Sequence, residues 1–405
     1  MKAHPIPNAA GSSADPLAQA LGLAPASMGT AMKRGAWRLL AVVLLACMQP
    51  ATAMVTEPFS FQSGGHRLSG FLDRPDEGVA QGVVIIIHGY GRTDVKSQTS
   101  WADLRQLFTS MGLATVVWDK PGCGHSEGEF DANQPVADSA REVVDAAQAL
   151  RARGVAGAAH IGLWGISRAG WIAPLAIQQD RAIAFWISVS GVDDQESFGY
   201  LLHTNLLIEG RTPNQAQELT EQWKQGGATL RAGGSYQDYL AATQDLRKDP
   251  FLMWLGFKAD EPGFRQEQAQ WLAKPGQVHP ETGLVIYVPG FADILAHIDI
   301  PVLAVFGEKD SSVDWRRTQA LYERTLGRNL TVLSFANANH NLHQAKTGGL
   351  REMMEMQRRE PVPGYREAMA AWLRQRLPLQ AASGGEPGLR PQPQRKTPAV
   401  VSRWQ

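Results

Sequence analysis

The sequence predicts an α/β fold in which a mostly parallel sheet is covered by helices on both faces and interrupted by a helical insertion. The first observation is the run GVVIII at Gly82–Ile87, whose β-branched residues lack polar alternation, as in a strand buried on both faces. The second is a regular alternation of strand-like and helix-like segments up to Gly191. The third is the return of this alternation at Pro301, which indicates that one sheet continues after the insertion.

Each predicted element follows from local composition. The strand-like segments are short and apolar or β-branched: Pro58–Gln62, Arg67–Leu72, Gly82–Ile87, Leu113–Trp118, Ala159–Trp164, Ala182–Val189, Pro301–Phe306 and Leu330–Phe335. The turn-like residues Ser63-Gly64-Gly65 predict that the first two form a hairpin. The helix-like segments have apolar residues at helical spacing: Trp101–Met111, Val136–Arg153, Ser167–Gln179, Trp315–Leu326 and Val362–Leu377. We therefore expect the core of the fold to comprise residues 54–192 and 296–378.

Residues 193–295 are predicted to form the helical insertion, as a cap over the site. Within them, Thr212 suits an N-cap and Pro213 the first position of a helix over Pro213–Gly226, and Tyr236–Arg247 is a second helix. The cap also contains large apolar side chains, namely Trp223, Tyr236, Tyr239, Phe251, Met253, Trp254, Phe257 and Trp271. These side chains line a substrate pocket or form the cap's own core, and their helical spacing favours the core.

The segment that begins at Met32 is typical of a secretory signal peptide. Basic residues precede the apolar run Leu39–Met48, and Ala51-Thr52-Ala53 supplies the small residues of a cleavage site. An apolar run of about ten residues is too short for the ~20 that span a membrane. We therefore expect a periplasmic or secreted protein without a stable membrane span, and a lipid anchor at Cys47 is the alternative. Residues 1–53 are thus an N-terminal extension with a signal peptide, and residues 379–405, rich in Pro, Gly, Gln and Arg, are expected to be a disordered tail.

The charge balance and the cysteine count exclude several classes of function. Lys and Arg together number 39, as do Asp and Glu, so no net charge favours nucleic acid. The chain has two cysteines, and cleavage after Ala53 would leave Cys123 without a partner for a disulfide. No CxxC or HExxH motif occurs. We expect neither a metal nor a cofactor.

The motif GISRA at Gly165–Ala169 is the main candidate for chemistry. A G-x-S-x-G turn between a strand and a helix presents a serine nucleophile, and small residues on both sides of the serine allow the turn to be tight. Here Ser167 follows a predicted strand and precedes a predicted helix. Ala169 takes the place of the second glycine, which is a mild departure. The sequence therefore predicts Ser167 as nucleophile.

A serine nucleophile needs a base and an acid that orients the base, in the chain order serine, acid, histidine for this topology. Asp310 lies on the loop after Pro301–Phe306, with Asp314 and Glu308 as rivals; Asp314 also suits an N-cap before Trp315. His340 lies after the last predicted strand, with His343 as its competitor. The three roles occur in the required order, each after a predicted strand.

Two further loops follow predicted strands. His88-Gly89-Tyr90-Gly91 lets the backbone approach a ligand closely, so the N–H of Tyr90 is a candidate oxyanion donor together with the N–H of Arg168. The glycine-rich loop Asp119–Gly128 lacks the ending of a phosphate-binding loop. We interpret it as a structural loop that supports the nucleophile region.

These motifs make residues 56–378 similar to the α/β-hydrolase superfamily, in particular to secreted bacterial serine esterases and the related serine aminopeptidases and prolyl-oligopeptidase-like enzymes. The resemblance rests on HGYG, DKPGCGHSEG, GLWGISRAGWIAPLA, PVLAVFGEKDSSVD and ANHNLH. It implies that the acid of GxxDxxV is Asp310 and that the base is His340. Such families often have an arginine where this chain has Pro121, which leaves in doubt any contact made by that arginine.

The sequence thus predicts a serine hydrolase that cleaves carboxylic esters of small or medium acyl groups through a Ser-His-Asp triad and an acyl-enzyme. A peptidase acting on small peptides is the first alternative, although no charged group that would clamp a peptide terminus is identifiable. The second alternative is a catalytically inactive binding protein with the same fold. The complete set of candidate catalytic groups argues against this alternative.

Overall fold

The computed structural model describes residues 54–95, 102–195, 197–257 and 260–377. Its strands are β1 (Met54–Ser63), β2 (His66–Pro75), β3 (Val83–Ile87), β4 (Ala114–Trp118), β5 (Ile161–Ile166), β6 (Ile183–Val189), β7 (Gln277–Val278), β8 (Val285–Ile286), β9 (Val302–Gly307) and β10 (Leu330–Phe335). Eight of them form one sheet in the order β1-β2-β4-β3-β5-β6-β9-β10, and β7 pairs with β8 separately. The predicted signal peptide and the predicted tail lie outside the described residues.

The sheet is parallel except at one end. β1 and β2 form an antiparallel hairpin whose turn uses Gly64 and Gly65 at positive φ, and β2 is antiparallel to β4. The predicted hairpin is confirmed, although each of its strands has ten residues and is longer than expected. All five residues of β3 and of β4 are buried, as predicted for strands with helices on both faces.

The helices are α1 (Ala102–Ser110), α2 (Val136–Ala152), α3 (Ala169–Gln179), α4 (Phe198–Ile208), α5 (Pro213–Arg231), α6 (Tyr236–Ala242), α7 (Pro250–Trp254), α8 (Glu261–Ala273), α9 (Phe291–Ala296), α10 (Trp315–Leu326), α11 (Leu350–Glu355) and α12 (Tyr365–Arg374). Helices α2, α3, α9 and α10 pack on one face of the sheet, in a core that includes Val143, Ile172 and Leu321. Helices α1 and α12 cover the other face through Phe108 and Met369. This three-layer arrangement confirms the predicted α/β-hydrolase fold class.

The chain between β6 and β9 contains α4 to α9 and the small β7–β8 sheet. It has apolar clusters of its own, one around Leu206 and Phe251 and another around Tyr239 and Phe264. The β7–β8 sheet was not expected, because two residues per strand are too few to show alternation. The boundaries of the predicted cap, residues 193–295, stay a prediction.

Helix ends in this segment follow from side-chain hydrogen bonds. Thr212 is the N-cap of α5, as predicted: its Oγ1 accepts from the N–H of Gln215 at 3.3 Å. The predicted helix Tyr236–Arg247 was too long, since α6 ends at Ala242. Gln222 Oε1 accepts the N–H groups of Asp245 and Leu246 at 2.9 and 3.0 Å, which removes those donors from a continuing helix.

The last helix also differs from its predicted range. α12 begins at Tyr365 rather than Val362, because its N-cap, Gly364, has φ +85°, outside the helical region. Within the described residues, no helix combines the length and the apolar composition that a membrane crossing requires.

Candidate active site

Four loops meet at the carboxyl edge of the sheet, where parallel strands end together. They follow β3, β5, β9 and β10, and they contain Tyr90, Ser167, Asp310 and His340 respectively. Ser167 and His340 line the same two cavities, and Tyr90 lines both as well. The structure therefore brings together the residues that the sequence analysis selected from distant parts of the chain.

Ser167 lies on a strained turn between β5 and α3. Its φ is +58°, in the left-handed region that non-glycine residues seldom adopt. A Cβ added at Gly165 would lie 2.6 Å from the Cβ of Ala169, so one of these two positions must be glycine. Alanine at 169 is thus compatible with the turn, because Gly165 leaves room for its methyl group. Gly170 lets the helix approach the chain after β6, where an added Cβ would lie 2.8 Å from the Val192 nitrogen.

Asp310 and His340 form a close pair. His340 Nδ1 is 2.7 Å from Asp310 Oδ2, and the Asp310 residue is only 3% exposed. The other carboxylate oxygen of Asp310 accepts the N–H groups of Ser312 and Val313 at 2.8 and 3.0 Å. These bonds hold the carboxylate so that Nδ1 of His340 donates to it and Nε2 is left for a reacting group. This is the arrangement of an orienting acid and a base.

The rival residues are engaged elsewhere. Asp314 is the N-cap of α10 and accepts from the N–H of Arg317 at 3.2 Å, as its alternative interpretation predicted. Glu308 accepts from the Ser334 hydroxyl at 2.8 Å. His343 lines one of the two cavities, and no bond to a carboxylate is found for it within the described chain. Its pKa is lowered by burial and by two neighbouring arginines.

The loop after β3 passes close to the nucleophile. A Cβ added at Gly89 would lie 3.3 Å from the Ile166 carbonyl and 3.4 Å from Cβ of Ser167. His88 is buried and its pKa falls to about 3, chiefly because burial disfavours the charged ring, so it is neutral at ordinary pH. The tight approach at Gly89 places the backbone of Tyr90 beside the serine.

Lys120 holds this loop and was missed by the sequence analysis. Its Nζ donates to the carbonyls of Gly89 and Gly91, at 2.6 and 2.7 Å, and thereby fixes the peptide unit that contains the Tyr90 N–H and the one that follows Gly91. Burial and the charge of Arg168 lower the pKa of Lys120 to about 8. The loop Asp119–Gly128 was predicted to support the nucleophile region, and through Lys120 it contacts the loop after β3. The only signal in the sequence was a lysine two residues after the end of a predicted strand.

The backbone and the side chain of Arg168 lie in different surroundings. As the N-cap residue of α3, it has an N–H without an acceptor inside the helix. Its guanidinium donates to the Ser139 hydroxyl at 3.1 Å and to the Gln134 carbonyl. Burial lowers the pKa of the Arg168 guanidinium. The side chain therefore anchors the turn.

The two cavities at Ser167 differ in character. The first, which we call the apolar cavity, has a volume of about 180 Å³ and is lined on its apolar side by Trp171, Val192, Phe198, Leu201 and Val313. The second, which we call the arginine cavity, has a volume of about 380 Å³ and includes Arg359 and Arg366. Among the described residues, neither lining contains Asp or Glu.

A third cavity of about 300 Å³, the cap cavity, lies in the inserted segment. It is lined by Trp223, Tyr239, Phe257, Trp271 and the carboxylate of Glu267, and it shares Tyr90, Phe198 and Tyr287 with the apolar cavity. Burial raises the pKa of Glu267. The prediction that the large apolar side chains form the cap's own core is therefore right for Phe251, which is 1% exposed, and incomplete for those that face the cap cavity.

In the described ranges, no group of three His, Cys, Asp or Glu side chains is placed to hold a metal ion. A serine on a strained turn, a histidine paired with a buried carboxylate and two backbone N–H groups at one sheet edge are the components of acyl transfer.

The chain is similar to known proteins in sequence and in fold. Residues 64–341 match the X-Pro dipeptidyl-peptidase (S15 family). Similar solved structures include the esterase Pf2001 of Pyrococcus furiosus (13% identity, TM-score 0.46, 80% of this chain and 94% of that chain). They also include Est1E of Butyrivibrio proteoclasticus with ferulic acid bound (17%, 0.45, 78% and 98%) and the acylaminoacyl peptidase of Pyrococcus horikoshii (14%, 0.43, 83% and 43%). No curated protein matches the chain in sequence.

Proposed function

Because the chain belongs to the X-Pro dipeptidyl-peptidase family, and is a serine hydrolase of the α/β-hydrolase superfamily, we propose that it cleaves carboxylic esters of small or medium acyl groups. The observation that carries the ester assignment is the apolar cavity, which adjoins Ser167 and His340 and has no carboxylate among the described residues of its lining. An enzyme that binds a free peptide N-terminus needs an anionic partner for the ammonium beside its nucleophile. An uncharged acyl group needs none.

The proposed reaction uses the site in two steps. Nε2 of His340 accepts the proton of the Ser167 hydroxyl while Oγ forms a bond to the acyl carbon. The N–H groups of Tyr90 and Arg168 stabilise the oxyanion, and the alcohol leaves with the proton returned by Nε2. Water then gives a proton to Nε2, its oxygen bonds to the acyl carbon, and the acid is released as Ser167 recovers its proton. Asp310 holds the imidazole in one tautomer throughout.

Lys120 is assigned a positioning role in this scheme. Its two bonds to Gly89 and Gly91 hold the Tyr90 N–H towards the oxyanion without touching the substrate. Backbone donors stabilise an oxyanion only when they are already in place, so the lysine acts through the loop.

A peptidase is the second candidate function. The family match favours it, and so does Glu267 in the cap cavity, where a carboxylate among aromatic rings would suit an ammonium group. This cavity adjoins the apolar cavity, since Tyr90, Phe198 and Tyr287 line both. A peptide would then place its N-terminus in the cap and its scissile carbonyl at Ser167.

A matched panel of substrates separates the two functions. We expect p-nitrophenyl acetate and butyrate to be hydrolysed by the purified protein, and aminoacyl p-nitroanilides to be hydrolysed much more slowly. Ser167→Ala is expected to abolish turnover of both. The variant Glu267→Gln is the control, because it should leave ester hydrolysis unchanged if the proposal holds. Faster turnover of the anilides, lost in Glu267→Gln, would establish the peptidase instead.

A further inference from the structure

The arginine cavity is open to the nucleophile and carries positive charge. Its lining includes Ser167 and His340, and two guanidinium groups, those of Arg359 and Arg366, belong to the same lining. Asn341 and His343 add polar groups. None of the described residues that line it is acidic, so the positive charge is not neutralised by the cavity itself.

The two arginines differ in their partners. Arg366, in the first turn of α12, pairs at 3.2 Å with Asp103, whose side chain is 68% exposed. Such an exposed pair is weak and leaves further guanidinium N–H groups available. Arg359 has no ion-pair or hydrogen-bond partner among the described residues, whereas its neighbour Arg358 is near Glu360, at 3.9 Å. The cation of Arg359 is thus available to a ligand.

The charge of both arginines reaches the interior of the cavity. The ring of His343 is half-buried in the lining, and burial together with the charges of both arginines lowers its pKa. The two arginines therefore place positive charge at the cavity whose lining also contains Ser167 and His340.

From this geometry we propose that the substrate is an ester that carries a carboxylate group, bound in the arginine cavity while the uncharged half of the ester occupies the apolar cavity. This inference rests on the proposed ester hydrolysis and specifies its substrate class. The planar fork of a guanidinium matches the two oxygens of a carboxylate, which makes arginine suited to this task. The two cavities, which share Ser167 and His340 in their linings, would then select the two halves of one molecule.

The test compares esters that differ in charge. On the acyl side, mono-(p-nitrophenyl) glutarate is compared with p-nitrophenyl valerate; on the alcohol side, 3-acetoxybenzoate is compared with its methyl ester. For one of these pairs, we expect a higher kcat/KM for the anionic ester. We expect the double variant Arg359→Gln/Arg366→Gln to lower the ratio of anionic to neutral kcat/KM about 10-fold, the order of a charge-assisted hydrogen bond at a half-exposed site. Added salt should lower the same ratio in the unmodified protein.

Arg358→Gln is the control, since it removes one positive charge directly beside Arg359 but outside the cavity lining, and it should leave the ratio unchanged. Equal kcat/KM values within both pairs, or an equal fall of the ratio in the control, would overturn the carboxylate assignment while leaving ester hydrolysis intact. Failure to hydrolyse any of the four esters would instead refute the proposed function itself.

Discussion

The carboxyl edge of the sheet and the segment inserted between β6 and β9 meet around Ser167, but they are held in different ways. At the sheet edge, each candidate group is fixed by short bonds to buried partners: Asp310 by two backbone N–H groups and His340 by Asp310. In the inserted segment, large side chains form small local clusters and leave a cavity between them. From this difference we expect substitutions at the sheet edge to change the reaction itself, and substitutions in the insertion to change which substrates are accepted.

One of the contacts between the two regions lies at the acid loop. Tyr200 and Asn205 of α4 donate to the carbonyls of Asp310 and Ser311, at 3.2 and 3.1 Å. The first helix of the insertion therefore supports the acid loop, and its first residue, Phe198, also lines the cap cavity. Substitutions in the two regions should accordingly change different kinetic constants, which the following predictions test.

The largest effect is expected at the orienting acid. Asp310→Asn keeps the shape of the side chain but cannot stabilise a charged imidazole, and in triads of this type such a change lowers kcat by about 10⁴-fold. Asp314→Asn is the control, because asparagine caps a helix about as well as aspartate. Steady-state hydrolysis of p-nitrophenyl butyrate checks both. A large loss in Asp314→Asn with little loss in Asp310→Asn would reassign the acid.

A smaller effect is expected at Lys120. Removing a direct oxyanion donor costs about 10²–10³ in kcat, so loosening the loop that carries one should cost about 10-fold to 100-fold in Lys120→Met. KM should change little, since Lys120 does not contact the substrate. Lys120→Arg should recover part of the activity.

The pH profile separates positioning from a general loss of stability. The pKa of Lys120 is about 8, so its charge is present below that pH and lost above it. We expect kcat of the unmodified protein to decline above about pH 8, and the decline to move to higher pH in Lys120→Arg, whose side chain stays charged. An unchanged alkaline limb in Lys120→Arg would show that the lysine charge does not position the loop.

The smallest effect is expected in the inserted segment. Trp271→Ala enlarges the cap cavity without touching the sheet edge, so it should raise KM a few-fold for p-nitrophenyl octanoate and leave kcat/KM for the acetate unchanged. Phe264→Leu, which alters an apolar cluster of the same segment outside the cap-cavity lining, serves as the control. An equal loss on both esters in Trp271→Ala would mean that the insertion also shapes the reacting groups.

The sequence was most informative where a residue type is dictated by its local backbone. Gly165 and Ala169 flank a serine with positive φ, and this requirement for small residues is visible in the sequence itself. The sequence also indicated Asp314 as a helix cap, where the structure has it, whereas the preference for Asp310 as the acid depended on the family resemblance and its contact with His340 is seen only in the fold.

Contacts between distant parts of the chain were not predictable. Lys120 bonds to carbonyls that lie 29 and 31 residues away in the sequence. Because every residue has a backbone carbonyl, the residue types do not show which carbonyls a lysine will contact. The arginine cavity was not predicted for the same reason. Arg359 and Arg366 line one cavity with Ser167 only because the chain after β10 folds back over the sheet edge.

The central claim, that Ser167 is activated by His340, is tested most directly by a fluorophosphonate probe with mapping of the labelled peptide. We predict that one label is bound to Ser167, that labelling is slowed at least 10²-fold in His340→Ala, as expected for loss of a general base, and that His343→Ala is labelled much faster than His340→Ala. A label on another serine, or labelling that depends on His343 rather than His340, would contradict the account.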